Sequence, residues 1–452
     1  MGTITLEQAA DWCGGRIDPK YAQVTFVGAN NDTRKLQPGQ LFVALQGQRD
    51  GNDFVPAALE AGAAAVLCSR EMGDIPAIIV EDTRRALGDI ARAERQRIGM
   101  KVVGITGSVG KSTTKEMIAD VLSKAYRVSK TPANHNNDIG MPMAILAMPE
   151  DTEVAVLEMG MNHFREMAYL SSVAQPEVAV IVNIGTMHIE HLGTIEGIRQ
   201  AKLEILEGMT PNGKLLLNGD DIMLRTLPET PKQPVTYFGC DSVCTVAAFD
   251  VSFNEEGIRF CVNAQGASFP VKLNLEGEHF VADAMAAVAV GLALGIEPEK
   301  ISAGLENFRN MAGRQEIYQA GKYTIIQDCY NAGPESMAAA LKVLGNRKGR
   351  RVAVLGDMLE LGECAPAEHF RVGRIAAENA QVVFAYGPNG PRVIDGAITG
   401  GMASYDARSF AEQDALADAL KAATRPGDVI LFKGSRGMHM ERILNKFLGK
   451  EK

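Results

Sequence analysis

Short, unbroken apolar runs alternate with helical patterns along most of the chain, and no other feature of the sequence narrows its fold as far. Strand candidates at residues 101–106, 154–158, 178–183 and 214–218 are followed by a second set at 323–327, 351–355, 382–386 and 428–432. A short run that is apolar on both faces suits a strand covered by helices on either side, and parallel strands joined by crossover helices create that environment. Nearer the N-terminus, candidates at 40–45, 64–68 and 77–80 alternate with an Ala-rich helical stretch at 56–61. The expected fold class is α/β in three domains, which a chain of 452 residues is long enough to form. Residues 1–99 are expected to make a small mixed α/β domain, 100–310 a central, mostly parallel sheet, and 311–452 a C-terminal Rossmann-like domain. No internal repeat or low-complexity tail interrupts this plan.

Charge and cysteine usage remove several function classes. The formal net charge is −9, so the surface as a whole offers no field to draw in a nucleic-acid backbone or an anionic membrane, and an anion must be bound locally. Neither nucleic acid nor membrane insertion is expected. The longest apolar stretch, 284–296, is too short for a membrane span. The seven cysteines are scattered without a C-x-x-C pair, and residues 1–11 carry Glu7 and Asp11 rather than a basic segment and an apolar core. A monomer in the reducing cytoplasm is the expected state.

The sharpest local signal is Gly104-Ile-Thr-Gly-Ser-Val-Gly-Lys-Ser-Thr-Thr114, placed after an apolar strand and before the helical pattern 115–122. Glycines let backbone N–H groups turn toward phosphate oxygens, and a helix N-terminus adds positive potential. In such a loop Thr106, Gly107, Ser108, Gly110, Lys111, Ser112 and Thr113 surround the phosphates, Lys111 reaches the β/γ-phosphates and Ser112 can ligate Mg²⁺. The strict pattern wants Gly where Ile105 stands, so the loop is a compact variant. The competing reading, a plain strand-to-helix turn, leaves the Lys-Ser pair without a purpose.

Together with other segments, that loop resembles the Mur ligases, the ATP-dependent amide-bond ligases of peptidoglycan assembly. The matching segments are Asn31-Asp-Thr-Arg34 with residues 41–47, Asn134 to Gly140 (NHNNDIG), Leu157-Glu-Met-Gly160, His188 with Glu190, and Ala201-Lys-Leu-Glu-Ile205. Asp328-Cys-Tyr-Asn331, residues 354–363 and Lys433-Gly-Ser-Arg-Gly-Met438 complete the series, which spans nearly the whole chain. Within the family the likeness is greatest to members that add D-alanyl-D-alanine to a UDP-N-acetylmuramoyl-tripeptide. An amide made from a carboxylate needs activation, and phosphoryl transfer to the carboxylate supplies it as an acyl phosphate that the amine attacks.

The resemblance implies roles residue by residue. Lys111, His188, Lys202 and Arg314 would be catalytic, with ATP and Mg²⁺ as cofactors. Ser112, Glu158, His188 and a carbamylated Lys202 would hold the metal. Arg314 would approach the γ-phosphate from the opposing domain. Asp328, Tyr330 and Asn331 would contact the nucleotide's ribose and base. Thr33 and Arg34 would bind the UDP-sugar, Asn134, Asn136 and Asn137 would line the metal and acceptor region, and Lys433, Ser435 and Arg436 would lie near the incoming D-Ala-D-Ala.

Read without the family, these residues have plainer alternatives. Glu158 is a solvated strand end, His188 a hydrogen-bonded loop histidine, Lys202 a solvated helix lysine, and 433–436 a solvated basic loop. One or two of the three asparagines are expected to serve turns, because Asn tolerates left-handed backbone. The chain also departs from the family pattern. Asp50-Gly-Asn52 replaces Asp-Gly-His, Gly277-Glu-His279-Phe280-Val-Ala-Asp283 lacks both usual asparagines, and Gln327-Asp328 replaces paired aspartates. A ligase for another amine or acceptor, or a catalytically idle nucleotide binder, therefore stand as alternatives.

Overall fold

The computed structural model describes residues 2–254 and 257–450; Met1, Glu255, Glu256, Glu451 and Lys452 lie outside it. Its largest element is a nine-stranded sheet whose strands, in spatial order, are Ala267–Leu273, Gly257–Ala264, Val246–Asn254, Val235–Gly239, Lys214–Asn218, Val178–Ile181, Lys101–Thr106, Val154–Glu158 and Val128–Lys130. Strands from Val128–Lys130 through Val246–Asn254 pair in parallel, and the last two turn antiparallel at the far edge. Val102, Val103, Ile105, Val156, Leu157, Val180 and Leu216 have essentially no exposed surface, as expected of strands covered on both faces. On one face the helix His279–Ala293, apolar nearly all round, packs against the helix Lys111–Leu122 in a single core.

The register of this sheet places the chemistry. Ile105 pairs with Glu158 and Thr106 with Ile181, so the exits of three neighbouring strands lie at one level. Ligand-contacting groups of open α/β sheets gather at such carboxyl ends.

The C-terminal sheet has six strands in the order Glu316–Ala320, Tyr323–Asp328, Val429–Lys433, Arg351–Gly356, Val382–Tyr386 and Ala407–Phe410, all parallel except the first. Asp328 is in register with Lys433, and this sets the two charged groups side by side at the strand ends. Near the N-terminus, Ala29–Asn30, Leu41–Val43, Ala65–Cys68 and Ala77–Ile79 form a four-stranded parallel sheet. No helix among the described residues is long and apolar enough to cross a membrane.

Candidate active site

The strand Lys101–Thr106 ends at a four-residue loop, and the helix Lys111–Leu122 begins at once behind it. Gly110 makes that sharp entry possible with φ +83°, and a side chain there would meet Asp283 Oδ1 at 2.6 Å. The loop is held from the neighbouring strand exit. Asn183 Oδ1 accepts hydrogen bonds from Ser108 N (3.0 Å) and Val109 N (2.9 Å), while its amide donates to Val109 O at 2.9 Å. The Ser108 hydroxyl accepts from Gly185 N at 2.8 Å. Lys111 folds over the loop, its Nζ donating to Gly107 O at 2.7 Å and Ser108 O at 3.2 Å. Burial pushes its ammonium below the usual lysine range, with Glu158 opposing and Arg314 adding to the shift. Thr113 is buried beside these residues, and Thr106 is fully buried with a hydroxyl that has no partner among the described residues.

Ser112 is the hub of the site. Its hydroxyl donates to Glu158 Oε2 at 2.7 Å and receives a hydrogen bond from Arg314 Nη2 at 2.9 Å. Glu158 is buried, not solvated, and it also accepts from Asn136 Nδ2 at 3.0 Å. Its own N–H donates to Thr131 Oγ1 at 3.0 Å. Behind it lies Lys115, whose side chain is 1% exposed and whose ammonium donates to Thr131 O at 2.8 Å and stands 3.8 Å from Glu158 Oε2. A hydroxyl and a carboxylate in contact at a phosphate loop are hard oxygen donors, a set that suits Mg²⁺ completed by phosphate oxygens and water. Among the described residues no three His, Cys, Asp or Glu side chains make a ready metal cage.

The other predicted residues divide into those the structure brings to this cleft and those it does not. A cleft of about 720 Å³ is lined by Ser108, Gly110, Lys111, Ser112, Thr113, Asn134, Asn136, Asn137, Glu158, His188, Arg314, Asp328, Tyr330, Asn331 and Lys433. The Arg314 guanidinium stacks on the Tyr330 ring, 4.0 Å from its centroid. Asp328 Oδ2 pairs with Lys433 Nζ at 2.6 Å, and Lys433 also donates to Asn331 O at 3.0 Å. Lys433 and Ser435 are buried, so the solvated-loop reading fails for both, whereas Arg436 is exposed and pairs with Glu441 at 3.4 Å. Ser435 supports a neighbouring loop, accepting from Leu359 N at 2.9 Å and donating to Ala332 O at 3.2 Å. Asn137 serves a turn, its Oδ1 accepting from Gly140 N at 2.8 Å.

Lys202 is buried as well, contrary to its reading as a solvated lysine. Burial, with Lys111 adding to the effect, holds its amine well below the usual lysine range. Thr33 and Arg34 are not part of the cleft wall. Arg34 is exposed and forms a bidentate pair with Asp32, through Nε and Nη2 at 2.8 Å each.

Of the family departures, Phe280 and Asp283 sit in the cleft wall, whereas Asn52 does not and bonds to Asp50 and Ser69 instead. Phe280 packs on His279 with ring centroids 4.1 Å apart, and burial pushes the His279 imidazole down to about 4. Asp283 accepts from Thr114 Oγ1 at 2.8 Å, and burial raises its carboxyl to about 7.

Sequence reasoning missed Lys115, Asn183, Glu335 and Glu360. Lys115 lies within a helical pattern and Asn183 at the end of a strand candidate, where nothing local marks them. Glu335 and Glu360 reach the site only across the lobes. Glu335 Oε1 accepts from Thr186 N and Thr186 Oγ1 at 3.1 Å each, and Glu360 Oε2 lies 2.6 Å from His188 Nδ1.

Three family descriptions match successive parts of the chain: the Mur ligase family catalytic domain at 23–95, the Mur ligase middle domain at 105–291, and the Mur ligase glutamate ligase domain at 313–436. The UDP-N-acetylmuramoyl-tripeptide–D-alanyl-D-alanine ligase of Bacillus subtilis (strain 168) is 41% identical over 454 residues, covering 98% of each chain. The protein of that name from Escherichia coli (strain K12) is 36% identical over 452 residues, again with 98% of each covered. Among solved structures, MurF from Acinetobacter baumannii superposes with a TM-score of 0.92 at 32% identity over 100% of both chains. MurF from Thermotoga maritima in complex with ADP gives 0.84 at 29% identity over 94% of this chain and 97% of that one. Relatives this similar over nearly their full lengths, and a phosphate loop that meets Glu158 and an arginine from the opposite lobe in one cleft, lead to one conclusion: the chain belongs to the Mur ligase family.

Proposed function

We propose that this chain is an ADP-forming ligase that joins D-alanyl-D-alanine to UDP-N-acetylmuramoyl-tripeptide through an acyl phosphate, as a cytoplasmic step of peptidoglycan precursor synthesis. The observation that carries the proposal is the junction of Lys111, Ser112 and Glu158 with Arg314 of the C-terminal lobe. A phosphoryl group held there is met by cationic groups from both sides. Phosphoryl transfer demands positioning and charge neutralisation, which these groups offer.

Residues 1–99 take the UDP-sugar through Thr33 and Arg34, 100–310 take ATP, and 311–452 take the incoming dipeptide near Lys433, Ser435 and Arg436. The loop amides and Lys111 cradle the triphosphate. Asp328, Tyr330 and Asn331 border the nucleoside. Asn134 and Asn136 face the acceptor. Ser112, Glu158 and His188 would hold Mg²⁺, which when bound would screen the negative oxygens of ATP and the acceptor carboxylate. Lys202 lies close enough to the site for Lys111 to depress its amine. The neutral amine is the form that adds CO₂, forming the N–C bond and releasing one proton, and the carbamate so made would offer oxygen ligands to the metal.

The test is phosphate release with UDP-N-acetylmuramoyl-tripeptide and ATP, run with D-Ala-D-Ala and then with single amino acids and other dipeptides. Release that requires D-Ala-D-Ala supports the proposal. Equal release with any amine would replace it with a different specificity, and no turnover with any amine would leave a nucleotide-binding protein without ligase activity.

A further inference from the structure

The loop that carries His188 is fastened by the opposite lobe. His188 has φ +66°, and its partner Glu360 has φ +62°, so two non-glycine residues in the left-handed region meet across the cleft. Such conformations cost energy and persist only where the surroundings enforce them. The enforcement is visible on the Glu360 side. The flanking backbone is pinned by Met358 N donating to His369 Nε2 and Leu359 N donating to Ser435 Oγ, each at 2.9 Å. A side chain on Gly362 would meet Glu190 at 3.2 Å, so the two loops interlock.

Contact at 2.6 Å between His188 Nδ1 and an ionised carboxylate fixes the direction of the bond, because a carboxylate only accepts. The proton must reside on Nδ1, and in the neutral ring Nε2 then carries the free lone pair. A histidine that ligates a metal commonly donates its other N–H to a carboxylate, which sets both tautomer and ring orientation. We infer that Glu360 is a positioning residue: from the C-terminal lobe it holds His188 with Nε2 presented to the metal, so that closing the lobes and completing the metal site are one event. This rests on the reading of His188 as a metal ligand, and it assigns Glu360 a task that the reading does not.

The test measures Mn²⁺ affinity by electron paramagnetic resonance in the full-length protein with ADP, for wild type, Glu360→Ala, Glu360→Gln and His188→Ala. Glu360→Ala should bind Mn²⁺ about 10-fold or more weakly, the range found for carboxylates that orient metal-ligating histidines. Glu360→Gln should retain most of the affinity, since its amide oxygen still accepts from Nδ1. If His188→Ala weakens Mn²⁺ but Glu360→Ala does not, the role of Glu360 is lost while His188 remains a ligand. If His188→Ala leaves the affinity unchanged, the ligand reading itself is overturned. Nitrogen-15 spectra of labelled wild-type histidines give an independent readout that needs no variant to fold. His188 should show the Nδ1–H tautomer, and an Nε2–H tautomer would overturn the inference.

Discussion

Arg314 and Ser112 are 202 positions apart, yet the guanidinium of one donates to the hydroxyl of the other at 2.9 Å, and this bond joins the two lobes at the phosphate loop. Arg314 is stacked on Tyr330, so its position is set before any phosphate arrives. A preset guanidinium stabilises charge that develops during transfer more than charge already present in bound ATP. Arg314→Ala should therefore lower kcat by about 10³-fold with a much smaller change in the KM for ATP, as for arginines that act on a transferring phosphoryl group. Arg314→Lys should recover little, because an ammonium lacks the planar fork and the stacking face. Steady-state phosphate release across ATP concentrations separates the two constants, and a pure KM effect would assign Arg314 to ground-state binding.

Gly110 joins the loop to its helix under two constraints. Its φ of +83° disfavours any L side chain, and a Cβ there would collide with Asp283 Oδ1 at 2.6 Å. Gly110→Ala should lose about 1–2 kcal/mol to the backbone alone, and the helix entry should shift to relieve the contact. The expected result is a lower melting temperature together with weakened ADP binding by calorimetry. Unchanged ADP affinity would show that the loop tolerates a different entry angle.

The sequence was readable where burial is symmetrical and local. The candidates at 101–106, 154–158, 214–218 and 382–386 coincide with observed strands, because a strand covered on both faces writes itself as one apolar run. The antiparallel edge formed by Gly257–Ala264 and Ala267–Leu273 has one covered face. Ile258, Phe260 and Val262 are buried while Arg259 and Asn263 are exposed, and that alternation escapes a search for unbroken runs. The helix behind the loop starts at Lys111, four residues before its apolar pattern, because its first turn is polar and serves the site. The loop residues themselves were legible as a local string. The pairs Ser112–Arg314, Thr186–Glu335 and His188–Glu360 were not, because they exist only through the packing of lobes that lie far apart in the chain.

Lys202 gives a chemical prediction. Burial, with Lys111 adding to the effect, shifts the Lys202 amine well below its usual range and so toward its uncharged form, and an uncharged amine is the nucleophile that CO₂ requires. With carbon-13 bicarbonate, ADP and Mg²⁺, the wild-type protein should show a carbamate carbon resonance that disappears in Lys202→Ala. That variant should also lose about 10–100-fold in kcat, as when a group that fixes a metal's position is removed. A spectrum without a carbamate, in protein that still turns over, would leave Lys202 as an unmodified buried amine.

Asp283 provides the pH dependence. Its carboxyl is raised from 3.8 to about 7 by burial, with the Thr114 hydrogen bond and Arg314 pulling the other way. Because the folded-state value lies above the unfolded one, the native protein binds the extra proton between those limits. Its contribution to stability is fully present below about pH 4 and is lost as pH rises through about 7. A shift of this size corresponds to on the order of 4 kcal/mol. Other carboxylates titrate in the same range, so the informative quantity is the difference between wild type and Asp283→Asn, which cannot ionise. Relative to wild type, the variant should gain stability between pH 5 and pH 8, read from urea unfolding midpoints at the two values. A difference that stays constant across that interval would mean that Asp283 remains ionised in the folded protein and that its bond with Thr114 outweighs the cost of burial.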